Sequence, residues 1–178
     1  MGSLSFELSL LSRMPPEYRA SVLKEIGLTE AAATELAKPY PWPESAFLLH
    51  TLEAHKDLFE PGNLGARPER AASGSSMDVV DHCFFSVLWP HLFWIVSVDS
   101  EGVVRETGFQ NQAEIRFQNF DPSTVRPGLW TLKSLERLAR SSKLIDGWSE
   151  WQVFRFDFDS SRFEGAFIFG LLTEWRRV

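Results

Sequence analysis

The sequence predicts an α+β fold: an N-terminal helical layer over about residues 4–59, packed on a C-terminal antiparallel sheet over about residues 80–172 that one helix at about 130–142 interrupts. Three observations lead there. Apolar residues recur at helical spacing up to residue 59, and after residue 77 the period falls to two. Between them PGNLGARPERAASGSS, residues 61–76, holds almost no large apolar side chain and reads as a flexible internal loop. Because the roughly sixty residues before the loop could not cover their own apolar faces, residues 1–178 are expected to form one domain.

The first helical stretch is FELSLLSRM. Pro15 and Pro16 then fit the opening turn of a helix carrying Tyr18, Val22, Leu23 and Ile26 on one side, with Gly27 as its stop. Thr29 is placed to cap the next helix, since its hydroxyl can accept a free first-turn amide. Pro39, Pro41 and Pro43 impose an extended link, and Phe47, Leu48, Leu52, Leu58 and Phe59 predict a helix over 44–59.

Beyond the loop, HLFWIVSV (91–98) is apolar on both sides, as a central strand should be. DSEG (99–102) is a hairpin turn in which Gly102 supplies positive φ, and VVRETGF is the return strand. In AEIRFQNF (113–120) Ala113, Ile115 and Phe117 oppose Glu114, Arg116 and Gln118, giving one dry and one wet face. TLKSLERLARSS (131–142) repeats leucine at helical spacing, and WQVFRFDF with FEGAFIFGLL closes the sheet as a hairpin.

Composition limits function. A net charge of −6 favours basic partners and opposes nucleic acid. No apolar run is long enough to span a bilayer, and the N-terminus, with Glu7 early and no basic stretch, is not a secretory signal. Cys83 is the single cysteine, which suits a reducing, cytoplasmic setting. No P-loop, G-x-G-x-x-G or G-x-S-x-G occurs, so no cofactor and no catalytic residue is assigned.

Two clusters remain. In WSEWQVFRFDFDSSRFEG (148–165) strand alternation puts Phe154, Phe156 and Phe158 on one face and Val153, Arg155, Asp157 and Asp159 on the other. Partly exposed Trp148 and Trp151 sit at the strand's start, and aromatic anchors beside charges are the composition of interface hot spots. Trp148, Trp151, Arg155, Asp157, Asp159 and Glu164 are therefore expected to form a partner-binding face displayed to solvent. In MDVVDHC (77–83), Asp78, Asp81 and His82 share one side if the segment is helical, whereas in a strand Asp81 and Cys83 share a face and His82 points away. With His91 these residues are the alternative, a metal-dependent enzyme or ligand-binding domain with a cavity between helices and sheet.

In size and charge the chain resembles the small acidic immunity proteins that bacteria pair with secreted toxins. That resemblance implies a non-enzymatic inhibitor that occludes a basic toxin.

Overall fold

The computed structural model describes residues 2–41, 49, 51–59, 79–111, 120–159 and 161–178. Helix α1, Gly2–Leu11, is buried all round: Phe6, Leu8, Leu10 and Leu11 are buried, and so are Ser5, Glu7 and Ser9. Its hydroxyls stay satisfied by bonding back to the helix, as Ser9 Oγ does to the Phe6 carbonyl at 2.6 Å. Helix α2, Pro16–Glu25, opens on proline as expected. It closes at Gly27, φ 70°, where Leu28 N–H bonds the Leu23 carbonyl and Gly27 N–H the Lys24 carbonyl, a pairing that satisfies the helix's last acceptors. Helix α3, Glu30–Ala37, is capped by Thr29, which accepts from Ala32 N at 3.2 Å.

Helix α4 covers Leu52–Phe59, a shorter span than the expected 44–59. Thr51 sets its start, because the hydroxyl accepts from Ala54 N at 3.2 Å. Residues 42–48 and 50, the loop at 61–76, Asp78 and all but Phe120 of the strand read at 113–120 lie outside the described residues.

Among the described residues the expected single sheet is two. Strands β1 (Val80–Phe85), β2 (Leu92–Val98) and β3 (Val104–Asn111) form one antiparallel meander with β2 in the centre. The β2–β3 turn is held by Asp99, whose carboxylate accepts from the amides of Glu101 and Val103, each at 2.9 Å, while Gly102 takes φ 81°. Leu92, Trp94, Val96 and Val98 face the helices and are buried, and Trp94 is central. Its ring meets Phe6, Phe109 and Phe169 edge-on, and its indole N–H donates to Nδ1 of the buried His55 at 3.2 Å. The other ring nitrogen of His55, Nε2, stands 3.1 Å from the Leu49 carbonyl, so the ring is a satisfied core group.

Helix α5 is Leu132–Leu138, capped by Thr131, and is shorter than the expected 130–142. Ala139 already has ψ 148°, and Arg140 N–H bonds the Asp157 carbonyl, so the chain turns from helix straight into pairing. A second meander follows: β4 (Ser141–Gly147), β5 (Trp151–Phe158), β6 (Ser161–Ile168) and β7 (Leu171–Arg177). The stretch FEGAFIFGLL is thus two strands with a turn at Phe169–Gly170. Phe156, Phe167 and Leu172 face α5 and bury a second core with Val125, Trp130 and Leu135.

That turn joins the two cores. Phe169 has φ 48°, a left-handed conformation that costs a side chain energy, and Gly170 has φ 74°. The ring is 3% exposed and packs on Phe6 and Trp94 in the first core. Its carbonyl accepts from Phe109 N at 2.8 Å, and a Cβ on Gly108 would come within 2.6 Å of that oxygen. Only glycine at 108 permits so close an approach.

Glu7 makes a second long-range tie. It is 0% exposed and accepts three hydrogen bonds, from Ser86 Oγ at 2.9 Å, Val87 N at 3.0 Å and Leu88 N at 2.6 Å. Burial pushes its carboxyl up to about 7, against the pull of those donors.

Candidate partner-binding groove

The β4–β7 sheet turns one face to α5 and the other away from it. Register assembles the second face in cross-strand rows: Lys143 opposite Arg155, Arg155 opposite Glu164, and Glu164 opposite Arg176. Glu164 is therefore no freely displayed acid. It is 6% exposed, one oxygen accepting from Arg155 Nη2 at 2.7 Å and the other from Arg176 Nη2 at 2.6 Å. The Arg155 and Arg176 hydrogen bonds hold its carboxyl below the usual range. Asp157 is engaged too, by Arg162 Nε at 2.7 Å and Ser141 Oγ at 2.9 Å, and both bonds lower its carboxyl. Asp159, at the tip of the β5–β6 hairpin, borders a separate shallow depression with Arg140 and Arg177.

The tryptophans stand where aromatic anchors are useful. The turn between β4 and β5 is closed by Trp148 N–H donating to the Trp151 carbonyl at 2.7 Å. Gly147 is required there: at φ 125°, a Cβ would meet the Trp151 carbonyl oxygen at 2.2 Å. The two indoles lie 5.0 Å apart at 35°. Trp151 leans on the first core, whereas Trp148 is 45% exposed. The Glu150 carbonyl between them accepts from Phe169 N at 2.7 Å, so the joint between the cores also fixes the tryptophan turn.

Both rings line an open groove of about 770 Å³ between the sheet and the α1–α2 corner. Glu164, Arg176 and Glu174 line it from the sheet side, and Arg13 and Met14 from the corner. Neither Arg13 nor Glu174 makes an ion pair among the described residues. Of the six residues expected at the partner face, Trp148, Trp151 and Glu164 line this groove, Arg155 bonds Glu164, Asp157 lies one row further along, and Asp159 is outside it. Arg13, Glu174 and Arg176 went unread. Recognising TEWRR as a strand would have placed Glu174 and Arg176 on one face, but no local signal brings Arg13 across from the helices.

Of the alternative cluster, Asp78 lies outside the described residues, and Asp81, His82 and His91 are dispersed. Asp81 and His82 lie in β1 and point to opposite faces, and Asp81 accepts from Ser97 Oγ at 2.6 Å. The register places Asp81 beside Ser97, six residues and roughly 20 Å along β2 from His91. Desolvation lowers the His91 imidazole, although a hydrogen bond with the Gly128 backbone opposes the shift. Among the described residues no three His, Cys, Asp or Glu side chains come together as a metal site, and no helix is long and apolar enough to cross a membrane. No family model, curated protein or solved structure matches this chain.

Proposed function

We propose that this protein is a non-enzymatic protein-binding domain, most concretely a cytoplasmic bacterial inhibitor of the immunity type that neutralises a toxin by covering it. The groove beside Trp148 and Trp151 is the contact surface in this reading. One observation carries it: an exposed tryptophan packs at a tilt against a second, in a turn that only glycine at 147 allows, at the edge of an open groove. Rigid aromatic area costs little ordering entropy on association, which is why such residues dominate binding energies. The chain's −6 charge favours a basic partner at long range.

Trp148→Ala tests the reading. Affinity for the physiological partner should fall at least about tenfold, as for a hot-spot aromatic. The circular dichroism spectrum and urea midpoint should stay within about 0.5 kcal/mol of the parent, because the ring is largely exposed. Unchanged affinity removes this face from the interface.

A second reading has one observation in its favour, since about 770 Å³ between helices and sheet also suits a small ligand. Native mass spectrometry of protein purified from its host separates the two. A bound small molecule that leaves on Trp148→Ala favours the second.

A further inference from the structure

The acids that sequence placed on this face, Asp157 and Glu164, are held by arginines, yet a different set surrounds the tryptophans. Asp146 and Glu150 belong to the strand end and turn that carry Trp148 and Trp151, and Glu174 lines the groove with the two rings. Among the described residues Asp146 accepts only its neighbour's amide, from Gly147 N at 2.8 Å, and Glu150 only Ser149 Oγ at 2.5 Å. None of the three meets a cation among the described residues. Of the groove's cations, Arg176 shares the sheet wall with Glu174 but is spent, with Arg155, on Glu164, and Arg13 stands on the opposite wall. Carboxylates that meet no cation among the described residues thus stand in the tryptophan turn and, as Glu174, on the groove's sheet wall, facing Arg13 across it.

An indole face attracts a cation through its quadrupole, and a nearby carboxylate adds Coulombic attraction. We infer that the Trp148–Trp151 end of the groove receives a cationic side chain, an arginine or lysine in an exposed basic segment of the partner protein, seated on the indole faces with Glu174 as counter-charge. This rests on the groove being the contact surface. It assigns recognition to groups other than Asp157, Asp159 and Glu164.

The test uses fluorescein-labelled hexaarginine, with labelled hexaglutamate as the opposite-sign probe, read by anisotropy at low salt against the intact protein. Hexaarginine should bind and hexaglutamate should not. Trp148→Leu keeps an apolar side chain and the chain's charge but removes the π face, and should weaken hexaarginine about threefold or more. Glu174→Gln should weaken it by a similar factor, and Arg13→Gln should strengthen it about twofold by removing the opposing charge.

Hexaarginine bound equally by parent and Trp148→Leu would mean the cation is not on the ring, and would overturn the inference. So would tighter binding of hexaglutamate, or weaker hexaarginine binding on Arg13→Gln. The physiological partner keeps the two levels apart. If Trp148→Ala abolishes its binding while Trp148→Leu and Glu174→Gln leave it intact, the groove stands as the contact surface and the cation falls. If Trp148→Ala leaves the partner bound, the groove itself falls.

Discussion

Glu7 makes the protein's stability depend on pH in an unusual direction. Its carboxyl lies near 7 in the folded chain and near the ordinary 4.5 when unfolded. Between those values the folded state holds one more proton than the unfolded state, so raising the pH favours unfolding. The contribution is fully present below about pH 4.5 and is lost progressively by about pH 7, at roughly 1.4 kcal/mol per pH unit and about 3 kcal/mol in all. His91 works against it, because its lowered imidazole gives a stability that rises with pH up to the ordinary 6.5. Comparing two proteins that share His91 cancels that effect.

Glu7→Gln is the perturbation. Urea unfolding of parent and variant is measured at about pH 5 and about pH 8, and the loss of stability between the two should be about 2.5 kcal/mol larger in the parent. The comparison survives an overall destabilisation of the variant, since only the difference between the two pH values is read. Equal losses in the two proteins would refute the account and mean that the carboxyl is ionised throughout, held by the amides of Val87 and Leu88.

Two further outcomes follow from other contacts. Phe169→Ala removes the ring shared with Phe6 and Trp94 and should cost about 3–5 kcal/mol as read by urea unfolding, the left-handed strain being unchanged because alanine keeps its Cβ. A loss under about 1 kcal/mol would deny the ring its place in the core. Glu164, held below its ordinary 4.5, stabilises the fold above that value and ceases to as pH falls through its folded value. Glu164→Gln should therefore be less stable than the parent at neutral pH and converge with it in strong acid by circular dichroism; a gap that ignores pH would count against the two-arginine grip.

What could be read in advance was local. The Thr29 cap, the Gly27 stop and the Gly102 turn each follow from one residue's chemistry, and the structure has all three. What escaped depends on distant neighbours. SSKLIDG receives no strand from the sequence, whose helix takes Ser141 and Ser142; Leu144 and Ile145 are adjacent rather than alternating, and a bulge between Leu144 and Asp146 absorbs the irregularity. Phe169 in a left-handed turn defies the preference for glycine or asparagine there, so FEGAFIFGLL read as one strand and the sheet as undivided. The sequence groups Glu164 with Arg155 in one expected surface, and the register sets the two opposite each other. The sequence could not say that Arg176, from a strand that had not been recognised, would close over the other oxygen and leave Glu164 nearly without contact with water.

The Phe169 turn also bears on how the chain is made. Synthesis delivers Phe6 and Trp94 before residue 169, yet the ring that packs on both comes from there, so their cluster is completed only when the last hairpin of the chain is in place.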